Sequence, residues 1–210
     1  MTEPKKTRKQ QATFRSACVY RLKLELYPNE IKPVIWRRLD VDGRISLGKL
    51  HHFIQAAFGW SDAHLHEFEI HGRTYRTPMP DDDLDEIEVR DERKAFLNRL
   101  VVEQDVFVYR YDFGDNWEHM ITVEDIIVDE ESDLRGGAYV TDGVRATPPE
   151  DVGGPPGYHD FLETLLVDPH SEEAQQMRDW AGGNFDPTHF DIRLANAAIS
   201  RLMYNGWGGK

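Results

Sequence analysis

Three of the nine histidines in this 210-residue chain are spaced so that their rings could act together. His64 and His66 sit in an alternating stretch that ends at Ile70, so a strand would turn both rings to one face. His119 follows Trp117 by two in a second alternating stretch, and Asp112 and Asp115 flank the turn before it. If the two strands are neighbours, His64, His66 and His119 with an aspartate form a set suited to zinc or iron. On that arrangement a divalent metal is the cofactor, His64, His66, Asp112 and Asp115 are its candidate ligands, and His119 is the candidate general base of a hydrolase. The same residues also fit a structural role, as half-buried imidazoles bonded to carboxylates and backbone.

The elements that must position them follow from periodicity. Val106 to Tyr111 and Trp117 to Val128 alternate around Gly114-Asp115-Asn116, which predicts a β-hairpin with a polar tip. Val19 to Tyr27 and Pro33 to Val41 predict an antiparallel pair before it. Between these, Ser46 stands where an N-cap would open a helix running to Phe58 with Leu47, Leu50, Ile54, Ala57 and Phe58 as its apolar stripe. Gly59 would close it. His64 to Ile70 and Arg73 to Arg76 predict two more strands joined by His71-Gly72. The acids from Asp81 to Glu88 predict a solvated excursion, and a short helix is expected around Ala95 to Val102. Residues 136–157 are rich in Gly and Pro and predict a loop wrapped on the domain. Helices are expected at Tyr158 to Val167, at Ser171 to Trp180, and from Asp186 or Asp191, the last with Phe190, Leu194, Ala198 and Leu202 inward. The fold class is therefore α+β, a single domain with a mainly antiparallel sheet, an early helix packed on it and a C-terminal helical segment. Residues 1–15 read as a disordered tail, 16–204 as the domain and 205–210 as a frayed end.

Composition excludes several classes. The one cysteine, Cys18, leaves no disulfide and no paired-thiol motif, and no apolar run reaches membrane-spanning length, so a cytoplasmic protein with no membrane partner is expected. The formal net charge of −13 disfavours sequence-independent nucleic-acid binding by the body, although residues 1–15 carry five basic side chains against one acid. Asp112-Phe113-Gly114 lacks the companion motifs of a kinase, and no nucleophile elbow or phosphate loop is present. Trp36-Arg37-Arg38 would put its two guanidinium groups on opposite faces of a strand, to pair the protein's own acids or to grip phosphate.

A set of ordered motifs spanning about residues 18–203 resembles one known family. They are Pro33-Val34-Ile35-Trp36-Arg37-Arg38, Leu50-His51 with Gln55-Ala56-Ala57-Phe58-Gly59-Trp60, and His64-Leu65-His66-Glu67-Phe68. Tyr111 to His119, Pro148 to Gly154, Gly157-Tyr158, Phe185-Asp186-Pro187 and Phe190-Asp191 complete the set. The chain is similar to the Ri-plasmid ORF-three-like domain family, also described as transposon-passenger TnpR-like proteins. The resemblance implies a single α+β domain found on chromosomes, plasmids and mobile elements. Nothing in the chain resembles a serine-recombinase site. The function expected is a binding or accessory module of mobile elements, contacting protein or nucleic acid through a face with Trp36, Arg37, Arg38, Trp60, Trp117, Glu150 and Asp151. The metal-dependent hydrolase is the alternative, and a structural scaffold the second.

Overall fold

The computed structural model describes residues 18–27, 31–80, 82, 88–128, 134–183 and 185–206. The expected N-terminal tail, most of the acidic excursion and residues 207–210 lie outside them. Among the described residues eight strands make one sheet: β1 Cys18–Tyr27, β2 Trp36–Asp42, β3 His66–Ile70, β4 Arg73–Arg76, β5 Val89–Asp91, β6 Val106–Tyr111, β7 Trp117–Val128 and β8 Ala138–Val144. Their order across the sheet is β5-β4-β3-β6-β7-β1-β2-β8. Every pairing is antiparallel except that of β4 with β5.

The alternation seen in the sequence divides the sheet into two faces. Tyr20, Leu22, Leu24, Leu26, Leu39, Phe68, Tyr109, Ile121 and Val140 point inward and are buried. Outward residues pair by charge across strands. Arg110 on β6 meets Glu118 at 2.6 Å and Glu67 at 2.7 Å, and Arg38 on β2 meets Glu124 at 2.6 Å. Such half-exposed pairs add little stability each. They do fix register, because a slip of one residue would carry every charge into the core.

Helix α1, Leu47–Phe58, lies on the inner face. The Ser46 hydroxyl accepts from the Lys49 amide at 3.2 Å, and Gly59 takes φ 82° at the C-cap, as expected of these residue types. The short α2, Leu97–Leu100, follows a 3-10 turn at Glu92–Lys94. Then come α3 Gly154–Val167, α4 Glu172–Trp180 and α5 Ile192–Tyr204.

Three expectations are corrected. The segment 136–157 is not all loop, because Ala138–Val144 is an edge strand and Gly154 already begins α3, whose prolines stand at N1/N2 where no amide hydrogen is needed. The third strand begins at His66, so His64 lies in the preceding bend and does not share its alternation. The inward row of α5 is Ala195 and Ile199, flanked by half-buried Ile192 and Leu202, while Leu194 is exposed. A spacing of four advances about 40° per step beyond a full turn, so a row of fours drifts off one face, whereas alternating threes and fours holds it. Asn196 on this helix bonds both the amide and the carbonyl of Val140, at 2.8 and 2.9 Å, and so covers the open side of edge strand β8.

Candidate functional site

The expected histidine set divides among three places. His119 is fully buried on the inner face of β7 between Phe58, Trp60 and Tyr109. The carbonyls of Tyr109 and Trp117 lie near its ring, yet neither ring nitrogen has a hydrogen-bond partner among the described residues, and burial lowers its pKa to about 3. The ring has no access to solvent in this arrangement and packs as a core residue. His66 goes to Glu92, at 2.8 Å, and His64 goes to Asp112 and Asp151, at 3.7 and 3.4 Å. Asp115 joins neither group; its Oδ2 accepts the Gly153 amide at 3.2 Å.

Most of the expected binding face is interior. Trp60 and Trp117 are buried, and the Trp60 indole donates to the Pro148 carbonyl at 3.1 Å. Arg37 is buried with no carboxylate partner among the described residues. Its guanidinium donates to the carbonyls of Trp36, Ala57, Val144 and Arg145 and to the Thr147 hydroxyl, and lies 3.7 Å from the Phe190 ring centre. Desolvation lowers its pKa to about 9. Arg38 pairs the protein's own acids, and Trp36 is covered by Arg38 and Lys23. Glu150 accepts from the Tyr111 hydroxyl at 2.6 Å and from Ser61 Oγ at 2.5 Å, while Asp151 is exposed. These bonds tie the loop before α3 to the hairpin. The backbone approach there leaves no room for a side chain at Gly154, whose Cβ would stand 2.4 Å from the Asp115 carbonyl oxygen.

His66 and a group of residues that sequence reasoning missed line a cavity of about 560 Å³ between α1, the start of β3 and the 3-10 turn. His51, His52, Asp62, His66, Thr77 and Glu92 form its wall, with Arg44, Lys49 and Arg93 at the rim. His51 and His66 stack with ring centres 3.4 Å apart and planes 2° from parallel. Because a metal binds in the plane of an imidazole, two such rings cannot hold the same ion.

Hydrogen-bond directions define the His51 tautomer. Gln55 Oε1 accepts the Asp62 amide at 3.1 Å, so its Nε2 donates to the Tyr109 oxygen at 3.0 Å. The ionised Asp62 takes the His51 Nε2–H at 2.6 Å, which leaves Nδ1 of the neutral ring to accept the Tyr109 hydroxyl hydrogen at 2.7 Å. His52 Nδ1 lies 3.1 Å from the other Asp62 oxygen. Burial lowers the His51 pKa to about 4. Burial pulls the Asp62 carboxyl up, but the bonds from His51 and His52 outweigh it and hold it well below the usual carboxylate range. Beside this chain, Glu92 is 3% exposed and accepts from His66 Nε2 and from Thr77 Oγ1, at 2.8 and 3.0 Å. With Nε2–H given to Glu92, a neutral His66 ring carries its lone pair on Nδ1.

The geometry defines a class: a single-domain α+β protein with one mainly antiparallel sheet and a histidine-lined cavity at the start of its first helix. Residues 18–194 match the family described as plasmid pRiA4b ORF-3-like protein, and the chain belongs to that family. It is 34% identical over 191 residues to the uncharacterized protein y4hQ of Sinorhizobium fredii (strain NBRC 101917 / NGR234), covering 89% of this chain and 93% of that one. It is also similar to the crystal structure of MM3350 from Methanosarcina mazei Go1, a protein of unknown function. That likeness has a TM-score of 0.73 and 35% identity, and covers 85% of this chain and 97% of the other. Among the described residues no helix is long and apolar enough to cross a membrane.

Proposed function

We propose that the chain binds a small polar molecule in the histidine-lined cavity and exchanges a proton with it through His66. The Glu92–His66 pair carries this reading, because a buried carboxylate at 2.8 Å orients the ring and leaves a lone pair on a residue of the cavity wall. That is the arrangement of a general base with its orienting partner, suited to withdrawing a proton from water or from a substrate hydroxyl. Arg44 and Arg93 at the rim are paired with Asp42 and Asp91, whereas Lys49 has no acidic partner among the described residues and favours a ligand with an anionic group. A docking face for protein or nucleic acid in a mobile-element setting draws less support, since Arg37, Trp60 and Trp117 are buried and the outer sheet face is filled by paired charges.

The test is a screen of small carboxylates and phosphomonoesters by saturation-transfer NMR, followed by turnover assays on the hits. His66→Ala should weaken binding at least tenfold. His66→Gln should retain binding and lose turnover, and Glu92→Gln should lower turnover by a smaller factor. Hits that bind His66→Ala as well as the wild type would place the ligand elsewhere and end this reading.

A further inference from the structure

His64 differs from the other histidines of this region in its distance to its carboxylates. His51, His52 and His66 reach theirs at 2.6, 3.1 and 2.8 Å, within hydrogen-bond range. His64 Nδ1 stands 3.7 Å from Asp112 Oδ2 and its Nε2 3.4 Å from Asp151 Oδ1, and neither ring nitrogen makes a hydrogen bond among the described residues. Asp112 is 8% exposed, and while its Oδ1 accepts the amides of Gly114 and Asp115, its Oδ2 accepts no hydrogen bond from a described residue. The Asp112 side chain is 12% exposed, so this oxygen faces the His64 ring at the edge of solvent without a shared proton. One ligand atom from each of His64, Asp112 and Asp151 can be chosen so that all lie within 4.8 Å of one another. Ligands about 2.1 Å from a common ion stand roughly 3 to 3.5 Å apart, so side-chain rotation must bring both carboxylates to one of the two His64 nitrogens before the group holds a cation.

We propose that His64, Asp112 and Asp151 form a site for a divalent first-row transition cation. One imidazole nitrogen with two carboxylate oxygens suits zinc, manganese or iron, and exposed Asp151 leaves coordination positions to water. The three ligands come from different segments: the bend before β3, the tip of the β6–β7 hairpin, and the loop before α3. The cation therefore ties the loop carrying Glu150 to the hairpin that Glu150 already grips through Tyr111. The site is separate from the cavity and does not depend on its ligand.

The test is zinc titration by calorimetry on untagged full-length chain, with Asp151→Asn, His64→Gln, Asp62→Asn and His159→Ala beside the wild type. Asp151→Asn is the primary variant because its exposed side chain is not needed for folding, and circular dichroism checks each protein. The expected result is one zinc per chain, with Kd raised at least tenfold by Asp151→Asn and by His64→Gln and unchanged by the other two. Zinc lost only in Asp62→Asn would put the ion in the cavity, and zinc lost only in His159→Ala would mean chelation by the exposed His159, Asp160 and Glu163 group. Either result overturns the proposal, as does a wild type that takes up no zinc.

Discussion

A single residue separates His64 from His66, yet they serve clusters of opposite character. In the cavity cluster the polar groups are joined by hydrogen bonds: Gln55 gives to Tyr109, Tyr109 to His51, His51 to Asp62, and His66 to Glu92, all within 3.0 Å. In the loop cluster the imidazole and both carboxylates face one another at 3.4 Å or more. Histidine and carboxylate can therefore share protons or leave room for an ion, and the separation decides which. A sequence motif records the residue types and not the separation.

The largest effect that distinguishes the clusters is acid sensitivity. His51 and His119 have folded pKa values of about 4 and about 3, below the ordinary histidine value. Between pH 6.5 and those values the unfolded chain binds protons that the folded chain does not, so stability is fully present above 6.5 and falls as the pH falls. For His51 alone the loss between pH 6.5 and 4 is about 3 kcal/mol at 1.36 kcal/mol per pKa unit. Asp62, whose folded value is lowered, adds a loss that begins only below the ordinary carboxylate range. Urea unfolding midpoints at pH 7.5, 5.5 and 4.5 measure this, and His51→Gln should flatten the dependence. A wild-type midpoint that stays constant from 7.5 to 4.5 would contradict a neutral His51.

Next in size is the cost of breaking the closed chain. Tyr109→Phe strips the hydroxyl that Gln55 and His51 share, leaving two buried polar groups unanswered, and should cost about 2 kcal/mol. Tyr111→Phe removes the bonds to Glu150 and the Ala63 amide near the loop cluster, where both partners are nearer water, and should cost about 1 kcal/mol. Equal losses in the two variants would erase the contrast between the clusters.

The sheet, the central hairpin and α1 with its Ser46 and Gly59 boundaries were legible because strand alternation and capping chemistry are local. His51 was also within reach. It continues the row Leu47, Ile54 and Phe58 at helical spacing, and an imidazole on an apolar row is buried and must find a partner. Glu92 was not, since it ends a run of acids that reads as solvated and only the parallel pairing of β5 with β4 carries it inside. The aromatic density around the hairpin, taken from sequence as a face, is the core packed around His119, and alternation cannot tell a sheet's inner face from a docking surface. His64 and His66 were joined by a strand rule that holds only inside the strand, and the strand starts at His66.

His119 gives a smaller effect of opposite sign. Its ring nitrogens are buried and unpartnered among the described residues, so His119→Leu, similar in size and apolar, should be neutral or stabilising by about 1 kcal/mol at pH 7. It should also remove part of the acid sensitivity. A loss of more than 2 kcal/mol in the same urea series would mean that the ring makes a bond the fold needs, and His119 would then belong with the closed cluster.

The smallest effect isolates the contrast itself. Asp62 and Asp151 share a backbone conformation, both with φ 59°, one in each cluster. Asparagine tolerates that left-handed region as well as aspartate does, so a change to Asn at either position leaves the backbone term nearly constant. At Asp62 the new amide can accept from one histidine but turns its NH₂ toward the other, which should cost about 2 kcal/mol. At Asp151 the carboxylate accepts no hydrogen bond from a described residue and is exposed, so without added metal Asp151→Asn should change stability by less than about 0.5 kcal/mol. Guanidinium melts in the presence of a chelator read both. If Asp151→Asn costs as much as Asp62→Asn under those conditions, the loop cluster is already closed by its own protons, and the distinction between a filled network and an open one fails.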